Sequence, residues 1–292
     1  MKVHPVFVPV EGEHVAATIS LPETGVRGLA VLLQGFGVTR SHRNRLWTRM
    51  SMALAERGIA SVRLDYPGMG ESTGPRPAGM HSPPIQAVAA VTRLALDVAG
   101  MESYSVVGNC LGAQSALLIA ERIPGCRGVG LILPGNLEGI VQNWSPHRPS
   151  SKLKRIVRAV PLLRGLARVI ARRRTGAIRL IPEVETLLGS TPMLFLFMGP
   201  EQIWQRLVRE LNRPIRRAGP LASDRVERVF VPIVGSYGLQ PLSSQEAVIR
   251  VIPDWVDRAT SLLARPARST PQGPPVVGSE TTDDVDEPVG RA

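Results

Sequence analysis

Ser105-Val106-Val107-Gly108-Asn109-Cys110-Leu111-Gly112-Ala113 is the stretch whose reading decides the fold. An apolar, strand-forming run ends at Gly108, and a helix-forming sequence runs on to Arg122, where Pro124 stops it. Between the two, Gly-x-Cys-x-Gly sets one nucleophilic side chain between two residues that lack a Cβ. A sharp strand-to-helix turn needs that spacing if it is to expose the residue at its apex. Cys110 then stands at a helix N-terminus, where the dipole and the unsatisfied N–H groups favour an anion and so a thiolate. The backbone N–H of Leu111 is placed to hold a developing oxyanion. A buried structural cysteine is the alternative for this residue taken alone.

Working outward, strand and helix signals alternate from residue 6 to about residue 262. Val6–Val10 and Val15–Ser20 form an opening hairpin. Gly28–Gln34, Ile59–Asp65, Tyr104–Val107, Gly128–Leu133, Met193–Met198 and Arg228–Ile233 have the apolar character of buried parallel strands. Arg43–Arg57, Ile85–Val98, Cys110–Arg122 and Ser243–Leu263 read as the helices between and after them. The expected class is therefore α/β, a mostly parallel sheet with helices on both faces. Residues 1–136 and 189–264 make up its core, interrupted by a basic helical lid at 137–188. Residues 265–292, rich in Pro, Ser, Thr, Gly and acids, read as a disordered tail.

The elbow, with its strand and helix in register, resembles the α/β-hydrolase superfamily over roughly residues 6–262, with cysteine where most members carry serine. Gln34-Gly35-Phe36-Gly37 is similar to the loop after the third strand, usually His-Gly-x-x, which implies that the Phe36 N–H is the second oxyanion donor. Asp65-Tyr66-Pro67-Gly68-Met69-Gly70-Glu71-Ser72 resembles the family's D-x-R-G-x-G-x-S loop, with proline in place of arginine. Ser41-His42-Arg43 and the Gly-x-Cys elbow are similar to bacterial hydrolases associated with exosortase systems. The elbow also resembles those of polyester synthases and dienelactone hydrolases. The resemblance implies acyl chemistry on an ester or thioester.

It also implies an acid after the lid and a histidine before the last helix, to activate the nucleophile. The acid position holds Gln202, with Glu201 beside it, and the histidine position falls near Tyr237 or Gly238. No histidine follows His147. His81 and His147 are the candidates for a substitute base; without one, the helix dipole alone would have to ionise Cys110. Tyr237 can donate a hydrogen bond to a substrate oxygen, but a phenol is a poor base at neutral pH. Loss of hydrolysis, leaving a binding or accessory protein or a non-hydrolytic biosynthetic enzyme, is the competing expectation.

The net charge of +11 would ordinarily suggest a nucleic-acid partner. Its distribution argues against that, because Arg148 to Arg179 holds eleven basic residues and no acid, so the charge belongs to the insert. Aromatic residues make up only 4% of the chain, too few for base stacking. A basic amphipathic insert suits an acyl carrier protein, a CoA thioester or an anionic membrane surface. The two cysteines flank a helix and are not expected to pair. The five histidines show no metal-ligand spacing, so neither a metal nor another cofactor is expected. The opening residues lack a basic-then-apolar signal, and the apolar run Met193–Met198 is too short to span a bilayer, which makes cytoplasmic residence the expectation.

Overall fold

A computed structural model describes residues 1–77, 83–134, 141–142, 179–180, 182–198, 219–231 and 239–262, together with 205, 208, 212 and 215–217. His81, His147, Glu201, Gln202, Tyr237, most of the basic insert and the tail from 265 lie outside the described residues.

Strands β1 (Lys2–Val10) and β2 (Glu13–Leu21) form the hairpin, turning through Glu11 and Gly12, both at positive φ. That is the turn whose twist suits two antiparallel strands. β3 (Gly28–Leu33), β4 (Ile59–Leu64), β5 (Tyr104–Asn109) and β6 (Cys126–Pro134) follow. β7 (Val141–Gln142) and β8 (Arg179–Leu180) make a small separate ladder, and β9 (Met193–Met198) and β10 (Val226–Val231) complete the main sheet. Its order among the described residues is β1-β2-β4-β3-β5-β6-β9-β10. The β1–β2 and β2–β4 pairs are antiparallel, and every pair from β4 onward is parallel.

Helices α1 (Leu46–Ala55), α2 (Ile85–Ala99), α3 (Leu111–Arg122), α4 (Pro182–Leu188), α5 (Pro220–Arg225) and α6 (Leu242–Leu262) accompany the strands. The buried residues of α1 (Leu46, Trp47, Met50, Leu54) and of α6 (Val248, Ile252, Trp255, Val256, Ala259) recur at helical spacing and pack in one core. Those of α2 (Val88, Val91, Ala95), α3 and α4 pack in a second core. Two cores on opposite faces are what the alternation of strands and helices requires. Trp255 is seated by glycines, since a Cβ on Gly128 of β6 would lie 2.9 Å from its ring and one on Gly130 3.2 Å away.

Three local expectations change. The single helix expected over Arg43–Arg57 is a 3-10 turn at Arg43–Arg45 followed by α1, because Asn44 and Arg45 have φ of 52° and 56° and break the helix there. The last strand starts at Val226 rather than Arg228, in continuous parallel register with Met193–Met198. Val184, Leu187 and Leu188, placed by the sequence reading in the basic insert, are buried core residues of α4. Among the described residues, no helix is long and apolar enough to cross a membrane.

Candidate active site

β5 ends at Asn109, α3 begins at Leu111, and Cys110 alone makes the turn, with φ 56° and ψ −117°. This conformation is costly for a residue with a side chain, of order 1–3 kcal/mol. The two flanking glycines explain how it is held. A Cβ on Gly108 would lie 2.0 Å from the carbonyl oxygen of Gly112, and one on Gly112 would lie 2.2 Å from that of Leu33. Strand, helix and the end of β3 therefore pack backbone to backbone, at a distance no other residue permits.

The loop after β3 lies against the same point. A Cβ on Gly35 would stand 3.2 Å from the Cβ of Cys110. Gln34 is tied to the neighbouring strand end, its Nε2 donating to the Leu64 carbonyl at 2.5 Å, while its own carbonyl accepts from the Tyr66 hydroxyl at 2.9 Å. Phe36 is 41% exposed at the rim. The structure thus brings together Cys110, Leu111 at the start of α3, whose first amides have no intrahelical acceptor, and the loop that carries Phe36.

Tyr66 was not singled out in the sequence, although it lies inside the quoted Asp65–Ser72 pattern. It is fully buried, and burial keeps its phenol protonated far above the ordinary range. The rest of that loop is a brace. Asp65 accepts the Arg40 N–H at 2.6 Å and the Glu71 N–H at 3.1 Å, and the Ser72 hydroxyl donates to the Asp65 carbonyl at 2.7 Å. A Cβ on Gly70 would collide with the Asp65 carboxylate at 2.2 Å, which accounts for the Gly-x-Gly of the motif. Asn109 is 6% exposed, with its Oδ1 buried beside the elbow and without a hydrogen-bond partner among the described residues.

A model of the alpha/beta hydrolase family matches residues 30–278. The chain belongs to that family. This alpha/beta hydrolase is also similar in structure to several solved members of the fold. An esterase domain from Rhodothermus marinus aligns with 17% identity and a TM-score of 0.54, covering 88% of this chain and 99% of its own. An esterase from Pyrococcus furiosus aligns with 15% identity and a TM-score of 0.54, covering 90% and 92%. A homologue of alpha-beta serine hydrolases from Coxiella burnetii aligns with 14% identity and a TM-score of 0.54, covering 88% and 97%. A comparison with curated protein sequences gives no match.

The hydrolase's two cysteines occupy different settings and are not joined by a disulfide. Burial pushes the Cys126 thiol up to about 12, and its Sγ donates to the Gly128 carbonyl at 3.5 Å. Cys110 is partly exposed at the elbow. Of the described histidines, His4 and His14 are exposed on the hairpin. His42 is buried edge-on to Trp47, with ring centroids 5.9 Å apart, and burial lowers its pKa. Among the described residues, no group of three or more His, Cys, Asp or Glu side chains forms a metal site.

Proposed function

We propose that this alpha/beta hydrolase is an acyl hydrolase or acyltransferase that attacks an ester or thioester through Cys110. The observation that carries the reading is the positive-φ turn at Cys110 between two obligatory glycines. A fold selected only for stability has no reason to keep a side chain there. The thiolate would add to the carbonyl carbon, and the carbonyl electron pair would move to oxygen, held by the N–H groups of Leu111 and Phe36. Collapse of the tetrahedral adduct breaks the bond to the alkoxide or thiolate, which leaves with the proton that the base had taken from the Cys110 thiol. Water or an acceptor nucleophile then releases the acyl group from sulfur. Glu201, beside Gln202 at the family's acid position, and Tyr237, near its histidine position, would flank the site, and His81 or His147 would supply a base. The basic insert would recruit an anionic acyl donor: a CoA thioester, an acyl carrier protein or a lipid at an anionic membrane surface.

A second reading rests on the absence of histidine after His147. In it the protein is a degenerate homologue that binds or shapes a ligand without turnover. One experiment separates the two. Wild type and Cys110→Ala are incubated with 4-nitrophenyl acetate and with acyl-CoAs of several lengths, then weighed intact. An acyl adduct present in wild type and lost in the variant supports acyl transfer. The absence of adduct and turnover with every donor would sink it in favour of the second reading.

A further inference from the structure

Tyr66 is the buried titratable group to which the acyl chemistry gives no part. It is fully enclosed, on the face covered by α2, α3 and α4. A phenylalanine would supply the same apolar ring, so packing explains the ring and not the hydroxyl. That hydroxyl donates to the Gln34 carbonyl at 2.9 Å. The Ser115 hydroxyl and Cys110 are near enough to act on the same phenol. Ser115 itself donates to the Leu111 carbonyl at 3.1 Å. One side chain thus stands where the loop after β3 meets the turn that carries Cys110 and Leu111.

Composition leaves that loop free. Phe36 lies between Gly35 and Gly37, and glycine lets the peptides on either side rotate. Gly37 has a φ of 80°, and a Cβ there would meet nothing within 4 Å. The Phe36 side chain is too exposed for packing to hold it firmly. Three successive residues at the end of β4 and just beyond it supply ties instead. The Gln34 Nε2 donates to the Leu64 carbonyl, the Arg40 N–H donates to the Asp65 carboxylate, and the Gln34 carbonyl accepts from Tyr66. Of the three, the bond from Tyr66 fixes the peptide plane immediately before the one that carries the Phe36 N–H.

We propose that Tyr66 is a positioning residue for the oxyanion site. By holding the Gln34 carbonyl it aims the Phe36 N–H at the carbonyl that Cys110 attacks, and the Gln34 side chain is the second tie of the same loop. The role rests on the acyl reading of Cys110 and deepens it. A donor stabilises the developing oxyanion fully only when it is already oriented before the charge forms. Between two glycines, that orientation has to come from outside the loop.

Two reagents that use the same sulfur separate this role from a structural one. Acylation by 4-nitrophenyl acetate passes through an oxyanion and releases 4-nitrophenolate. Alkylation by iodoacetamide displaces iodide at a saturated carbon and forms no oxyanion. Both rates are measured on the full-length chain, with Cys110→Ala as the blank for other nucleophiles. In Tyr66→Phe, acylation should fall roughly ten- to a hundredfold, less than the loss of a donor outright would cause. Alkylation follows the thiolate fraction and should stay within about twofold, with the same pH profile. Amide exchange across residues 35–37 should quicken. Should Tyr66→Phe not fold, Gln34→Met, which cuts the loop's other tie and leaves the phenol, takes its place and should show the same split. Undiminished acylation in the folded variant, a parallel fall in both rates, or unchanged exchange would each overturn the proposal. A wild-type chain that is alkylated yet takes no acyl group from this ester or from acyl-CoAs would instead sink the acyl reading, and the role of Tyr66 with it.

Discussion

On the face covered by α2, α3 and α4, β2 presents Val15, Ala17 and Ile19, and β4 presents Ala60, Val62 and Leu64, all buried. On the face covered by α1 and α6, the same two strands present Thr18, Ser20, Ser61 and Arg63, equally buried. The hydroxyls of Ser20 and Ser61, the Nε of Arg63, Nε1 of Trp47 and Nδ1 of His42 find no partner there among the described residues. Further along, toward β6 and β9, that second face becomes apolar again, with Leu194, Leu196, Ile132 and Trp255. One face is closed by packing alone; the other is closed by packing over half its width and is polar over the rest. Apolar burial accounts for the first. The second carries a cost that packing does not repay, since buried polar groups without partners are each destabilising.

Substitutions that separate packing from polarity test this contrast. The largest effect is expected where the α3 face meets the elbow. Gly112→Ala would drive a Cβ to 2.2 Å from the Leu33 carbonyl, so the variant should lose roughly 4 kcal/mol or more, or fail to fold. A chemical denaturation curve within about 1 kcal/mol of wild type would show that the elbow relaxes. Next comes a matched pair on β4, which presents side chains to both faces. Leu64→Ala should cost about 2–5 kcal/mol as a core cavity. Ser61→Ala, which removes an unpartnered hydroxyl, should stay within about 1 kcal/mol of wild type, on the stabilising side. Equal losses at the two positions would erase the distinction between the faces.

The smallest effect is a dependence on pH. Burial pushes the Cys126 thiol from its ordinary value of 9.0 up to about 12 in the fold. Its contribution to stability is therefore complete below pH 9 and is lost as pH rises toward 12, because the unfolded state releases the proton first. Burial raises the Tyr104 phenol too, which acts in the same direction. The Tm of wild type should fall across that window, and Cys126→Ala should fall less steeply. Parallel profiles would count against the assignment.

The fold was legible because its signals are local and redundant. Val106 and Val107 ahead of Gly108, and Pro124 behind Arg122, mark strand, turn and helix without help from distant residues. The glycines at 108 and 112 were readable as an elbow because only their spacing was needed. By contrast, Asn44 and Arg45 lie in a stretch of helix-forming composition, and nothing local betrays their positive φ. The burial of Arg63 was also hidden, although Ala60-Ser61-Val62-Arg63-Leu64 alternates visibly. Such alternation ordinarily marks a solvent-facing side, and only the structure shows that α1 covers it. Tyr66 was overlooked because its bond to the Gln34 carbonyl joins the ends of two adjacent strands. Glu201, beside the acid position at Gln202, and Tyr237, near the histidine position, stand there by analogy of position alone, and His81 and His147 are the candidate bases. Which loop side chain reaches a nucleophile depends on loop conformation, and composition does not encode that.

Position 110 has a last consequence. Its backbone angles would suit glycine better than any side chain, so Cys110→Gly should relieve tension while removing the sulfur, and the protein should tolerate it well. On the acyl chemistry proposed for Cys110, stability and reactivity are set against each other at a single residue. A chain drifting without selection for the sulfur would be expected to settle on glycine there, and this one retains a thiol.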